Sequence, residues 1–250
     1  TVIMFAAKYN TDDKIIQCLC DTFQNKIDIN IVDSFLFSAF MLAARYNTND
    51  KVMKCLCDTF KDTIDINKQH HWNCETALAF ALQHNTNLEV TKYISNTFKD
   101  TIDINIQNYF GYTAFMLAAK NIENVEITKY LYDMFKNTLN ITKVNRDGHT
   151  AFMLAVKYNK NDKVAQYLCD TFKDTIDITA QDNIGRTAFI LATPYTRNHL
   201  YKTFDINKQN ENGDTELMVA SKSEKYMIFL QYLCDALPYK IAINIQNNDG

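Results

Sequence analysis

Gly111-Tyr112-Thr113-Ala114-Phe115-Met116-Leu117-Ala118-Ala119 is the stretch on which the reading of this chain turns. Its phrase Thr-Ala-Phe-Met-Leu-Ala-Ala recurs in degenerate form from Thr1, Ser38, Thr76, Thr113, Thr150, Thr187 and Thr215. These starts lie 37, 38, 37, 37, 37 and 28 residues apart. A second phrase, Asp-Ile-Asn, stands at Asp28-Ile29-Asn30, Asp65-Ile66-Asn67 and Asp103-Ile104-Asn105, ending 29 positions after each start. Self-similarity at a fixed period marks a repeat architecture, in which each unit buries its apolar face only by stacking on a neighbour.

Each repeat reads as two helices. The opening Thr or Ser is a good N-cap, accepting from first-turn amides. The third position is large and apolar (Phe40, Leu78, Phe115, Phe152, Phe189), and the sixth is alanine in all seven repeats, from Ala6 to Ala220. A small residue kept while its neighbours vary implies close helix approach. After a polar turn such as Asn47-Thr48-Asn49-Asp50, a second helix carries the stripe Val52, Cys55, Leu56, Phe60 at i, i+3, i+4, i+8. The same register predicts that Ile15, Cys18, Leu19 and Phe23 are core, as are Val90, Tyr93, Ile94 and Phe98. Truncating a buried Phe of this stripe to Ala is expected to cost about 3–5 kcal/mol.

Composition narrows the function classes. Five Gly and two Pro in 250 residues are too few for a turn-rich β fold. A net charge of −3 gives no general attraction to nucleic acid or anionic lipid. No apolar run reaches the ~18–20 residues of a membrane span, and no basic-then-apolar leader opens the chain. The seven cysteines lack metal spacing, and Cys18 with Cys20, or Cys55 with Cys57, stand i, i+2 on helices and cannot face each other. They read as free thiols of a reducing cytoplasm. The five histidines fall at unrelated phases of the repeat, and no phosphate loop or nucleophile elbow is present. No catalytic residue, metal or cofactor is expected.

The repeated phrase resembles that of the ankyrin repeat family, Gly-x-Thr-Pro-Leu-His-x-Ala-Ala, seen here at Gly111–Ala119 and again at Gly148-His149-Thr150-Ala151-Phe152-Met153-Leu154-Ala155-Val156. The resemblance implies an all-α solenoid of stacked helix–turn–helix units joined by hairpin-finger loops, and a role in protein–protein interaction. The departures are specific. Methionine (Met4, Met41, Met116, Met153, Met218) stands where the family has a hydrogen-bonding His, so other contacts must hold neighbouring repeats. The period exceeds the family's ~33 residues, which predicts a second helix about one turn longer, with Phe60 and its equivalents extending the core. The sixth repeat is nine residues short; Pro194 is expected to break its first helix and leave a stunted second helix from Arg197 to Phe204, a local weak point. The chain starts and stops near the same phase of the repeat, and reads as a segment of a longer array. Its richness in Asn, Ile, Lys and Tyr resembles ankyrin arrays of giant DNA viruses and some intracellular microbes.

In this family partners meet the finger tips and the inner helices. The finger tips here contain large apolar residues, and Phe35, Phe37, Trp72, Tyr109, Phe110, Tyr112 and Ile184 are therefore candidate partner-binding residues. A second row follows the paired small residues of the first helices: Arg45, Tyr46, His84, Lys120, Lys157 and Tyr158, with Lys8 and Tyr9 at its head. Cations beside tyrosines suit an acidic or phosphorylated protein or peptide; a solvated face is the plain alternative. One cation per repeat is too sparse for nucleic acid. A spacer or regulatory segment of a larger enzyme or channel, and a self-assembling array touching further repeats, remain the other readings.

Overall fold

The computed structural model describes residues 1–121, 124–160, 162–237 and 239–249, with Tyr195 as backbone only. Among them are fourteen α-helices and no strand beyond one isolated bridge, Val32 to Ser38. The helices come in pairs that follow the repeat: α1 (Val2–Tyr9) with α2 (Asp13–Phe23), α3 (Ala39–Tyr46) with α4 (Asp50–Phe60), α5 (Ala77–His84) with α6 (Leu88–Thr97), and α7 (Ala114–Asn121) with α8 (Val125–Phe135). Then come α9 (Ala151–Tyr158) with α10 (Asp162–Phe172), α11 (Ala188–Leu191) with α12 (Pro194–Thr203), and α13 (Glu216–Ser221) with α14 (Met227–Ala236). No helix among the described residues is long and apolar enough to cross a membrane. The chain forms two compact blocks: Thr1–Ile122 with Glu126–Asn140, and Glu123–Val125 with Ile141–Gly250.

Local chemistry explains the helix starts. Ser38, Thr76, Thr113, Thr150, Thr187 and Thr215 each accept a hydrogen bond from the amide three residues on, at 3.1–3.4 Å. The alanine at the sixth position is buried in all seven repeats. In the first block α1 packs on α3 and α3 on α5, while α2 packs on α4 and α4 on α6. The second helices α4, α8 and α10 run through the late aromatic, and α6 ends just before it: Phe60, Phe98, Phe135 and Phe172 are all buried. The stripe needs correcting in α2, where Ile15, Cys18 and Phe23 are exposed and Ile16 and Cys20 are buried instead. α4 covers only one side of α2, so the residues that would face a helix on the other side meet solvent.

Methionines occupy the family's histidine position, and Met4, Met41, Met116 and Met153 are buried. Asparagine supplies the polar ties between repeats. The Asn47 amide donates to Ala7 O and Asn10 O of the previous repeat at 2.9 and 2.8 Å. Asn85 repeats the pattern onto Ala44 O and Asn47 O at 2.9 Å each. One step on, Asn49 and Asn87 reach back to Thr11 O and Thr48 O. A third ladder runs the other way, with Asn30, Asn67 and Asn105 donating to Thr63 O, Thr101 O and Thr138 O at 2.7 Å. Their carbonyl oxygens accept the amides of Asp65, Asp103 and Asn140, so each side chain grips one peptide acceptor and one donor of the next repeat. Backbone oxygens left over at the end of a short helix need partners when water is excluded, and Asn47 and Asn85 provide them.

The sixth repeat departs from expectation. Its first helix does stop early, at Leu191, as expected, but Pro194 also opens the next helix: it is the first residue of α12, which is ten residues long, and Thr193 caps it by accepting from Thr196 N at 3.2 Å. The second helix, expected to be a stunted one from Arg197 to Phe204, instead starts three residues earlier and is close to full length. Proline suits a first helical position because its ring presets φ and the missing N–H has no partner there anyway. Five of the nine missing residues come out of the first helix and the turn, leaving α11 with four residues, and the other four come out of the segment between Phe204 and Asp205-Ile206-Asn207. Two of the α11 carbonyls are taken up by Arg197, whose Nε and Nη2 donate to Phe189 O and Ile190 O at 3.0 and 3.4 Å.

Candidate functional site

The finger between repeats is a tight turn closed by its first side chain. Asp33 Oδ1 accepts from Phe35 N and Phe37 N, and Asn108 Oδ1 accepts from Phe110 N and Tyr112 N, all near 3 Å. Asn145, Asp182 and Asn210 do the same in the second block. The turn requires a left-handed residue at its fourth position, where Gly111, Gly148, Gly185 and Gly213 have φ of 77 to 83°. In the first finger that residue is Leu36 at φ 68°, and in the second, which is one residue longer, it is the fifth, Cys74 at φ 55°. A side chain there costs of order 1 kcal/mol or more, and such strain persists only where the surroundings hold it.

In the first two fingers the lock is His70. Its Nε2 lies 2.8 Å from Phe35 O of the first finger and its Nδ1 2.7 Å from Asn73 Oδ1 of its own. Its ring lies 4.2 Å from that of Phe37. The second finger is joined to the third by Tyr109 N donating to Asn73 O at 2.8 Å, and by Gln69 Nε2 donating to Gln107 O at 3.0 Å. Three successive fingers are thus tied side by side. His70 itself is buried.

From this frame the aromatics project. Phe35, Trp72 and Phe110 are 60%, 63% and 56% exposed, and Tyr109 is 49% exposed. Phe37 and Tyr112, named with them from the sequence, are half-buried. Phe37 turns in against Phe80, with the Arg45 guanidinium 5.7 Å from its ring, and Tyr112 carries the Lys120 ammonium 4.8 Å above its own. The inner-helix row stands behind the fingers. Lys8 lies 4.7 and 4.8 Å from the Tyr9 and Tyr46 rings, and Arg45 lies 5.1 Å from Tyr46 and 5.3 Å from Phe80. Cations over ring faces are held in place while keeping their charge. The Tyr9 hydroxyl raises the Lys8 pKa above its usual value. Burial, with Arg45 beside it, lowers that of His84. A cleft of about 470 Å³ joins the two rows, lined by His84, Phe110, Tyr112 and Lys120 among others.

The second block carries less of this pattern. Ile184 is exposed at a finger tip, 68%, and Tyr158 carries the Lys157 ammonium 4.5 Å above its ring. Lys157 also lies 3.4 Å from His149 Nε2. His149 is buried, 3.1 Å from Asp182 Oδ2, which also accepts from Arg186 Nε at 2.7 Å. This cluster holds the base of the fingers together. Among the described residues no group of three His, Cys, Asp or Glu is placed to hold a metal ion.

The comparisons agree with the architecture. The family described as "Ankyrin repeats (3 copies)" matches residues 3–108, 41–142, 87–182 and 115–200. A search by sequence finds no matching curated protein. Among solved structures, the ankyrin repeat domain of Bcl-3, a member of the IkappaB protein family, aligns over 92% of this chain and 98% of its own, with TM-score 0.68 and 20% identity. A chain in the complex of the predatory endopeptidase Bd0816 from Bdellovibrio bacteriovorus with the immunity protein Bd3460 aligns over 81% and 97%, with TM-score 0.61 and 22% identity. The family matches together run from residue 3 to residue 200, well over half the sequence, and the chain belongs to the ankyrin repeat family.

Proposed function

We propose that this chain is a protein-binding scaffold whose partner docks on the first block, with the finger tips Phe35, Trp72, Tyr109 and Phe110 as apolar anchors. The observation that carries this reading is the exposure of these four aromatics on three fingers that are hydrogen-bonded to one another. Large rigid side chains presented by an ordered frame lose little entropy on binding, and Trp and Tyr dominate interface hot spots. The row Lys8, Arg45 and Lys120 behind them favours an acidic or phosphorylated segment on the partner. Ile184, Lys157 and Tyr158 form a lesser contact set on the second block. A host-factor-binding adaptor is the form of this function that the compositional resemblance supports.

The test begins by identifying a partner through crosslinking to the intact chain, followed by titration. Trp72→Ser with Phe110→Ser is expected to weaken that partner's affinity at least about 100-fold, since two hot-spot losses of ~2 kcal/mol each suffice. Unchanged affinity would remove the finger tips from the interface.

A further inference from the structure

The second residue of the repeat phrase is buried alanine in five successive repeats, Ala39, Ala77, Ala114, Ala151 and Ala188. In the seventh it is Glu216, 6% exposed. We propose that Glu216 makes the joint between the sixth and seventh repeats proton-sensitive, tight when its carboxyl is neutral and loosened when it ionises.

The surroundings show why. Glu216 is the first residue of α13. One hydrogen bond reaches its carboxyl, from the Thr187 hydroxyl of the sixth repeat at 2.7 Å. That hydroxyl is already engaged as the N-cap of α11, accepting from Ile190 N. Arg197 of α12 is the cation that faces Glu216, but its guanidinium is committed elsewhere. It donates to Phe189 O and Ile190 O, and lies 4.8 and 5.5 Å from the Phe229 and Tyr232 rings of α14. Tyr201 of α12 also faces Glu216, and Tyr232 of α14 lies beyond it, against Arg197 and Tyr201. Asp214, two residues earlier, is separately ion-paired with Lys222 and accepts a hydrogen bond from Asn247 Nδ2. An enclosed carboxylate without a direct ion pair is costly, so the proton is retained.

The sign follows. Burial pushes the Glu216 carboxyl from 4.5 up to about 7, with the Thr187 hydroxyl and Arg197 pulling against it. The folded joint holds the proton across a range in which the unfolded chain has released it. Stability is therefore full below about pH 4.5, falls as pH rises toward 7, and levels off above. Between pH 6 and pH 8 these values correspond to about a tenfold increase in the opening equilibrium of the joint.

Hydrogen exchange on the full chain, followed by mass spectrometry at pH 6 and pH 8 and corrected for intrinsic rates, reads this directly. Segments covering α13 and α14 are expected to open about tenfold more at pH 8, and segments covering α3 to α6 to show no such change. Glu216→Gln is expected to abolish the difference. Glu216→Ala provides the same test in a side chain that five other repeats already accommodate, should the glutamine variant fold poorly. An equal response at the two pH values in the wild type, or a tenfold response that survives in the alanine variant, overturns the proposal.

Discussion

The fingers of the first block and those of the second share one turn, closed by an Asp or Asn in all but the second finger, yet they place their irregularities on opposite sides of the surface. In the first block the interior is regular: apolar stripes, buried methionines and asparagine ladders repeat from one unit to the next. Its departures lie outside, as a leucine and a cysteine in left-handed backbone and as projecting aromatics. The second block keeps glycine in its fingers, and Gly148 sits so close to the next one that an added Cβ would lie 2.8 Å from Asn183 N. Its departures lie inside, in Arg197, Glu216 and the His149–Asp182 pair. Strain at a surface suits recognition, because a partner can repay it. A charge in a core has only its neighbours to answer it, so it suits a change of state.

The sharpest way to break this contrast is Arg197→Ala. It would orphan two carbonyls of α11 and strip Glu216 of its facing cation, and about 3–5 kcal/mol of stability is expected to be lost at pH 8. The loss should be smaller at pH 6, where Glu216 is protonated, and thermal unfolding at the two pH values measures both. A change near zero would mean that the polar interior of the second block is incidental. Next comes Asn47→Ala, which removes both donors from Ala7 O and Asn10 O and is expected to cost about 2–3 kcal/mol. Urea denaturation of the chain reports it, and a cost below about 0.5 kcal/mol would show that apolar packing alone joins the repeats. The smallest effect is Cys74→Gly, which relieves the left-handed backbone of the second finger. A gain of up to about 1 kcal/mol is expected in the same assay; destabilisation would mean that the thiol contributes more than the strain removes.

Much of the fold was legible because the repeat reports on itself: the cap threonines, the buried alanines and the late phenylalanines all stand at one phase. What escaped was whatever depends on a neighbour in space. Ile15 and Cys18 have the same phase as Val52 and Cys55, but only the latter have a helix on both sides. Pro194 reads equally as a breaker or as a first residue, and the choice lies in where the missing nine residues were removed. His70 locks two fingers through contacts that periodicity does not encode; the extra residue of its finger leaves only the 38-residue spacing as a trace. Arg197 and Glu216 have no counterpart in other repeats, so periodicity passed over them. Of the candidate site, the exposure of Phe35, Trp72, Tyr109 and Phe110 agrees with their reading as tips, while the inward turn of Phe37 and Tyr112 follows from ring contacts that spacing does not encode.

Two of the three asparagine ladders also carry a direction in time. Asn47, Asn49, Asn85 and Asn87 each donate toward the repeat made before their own. A chain leaving the ribosome therefore presents each new turn with acceptors that have already been synthesised, and the first block has the means to zip from its N-terminal end while the rest is still being made.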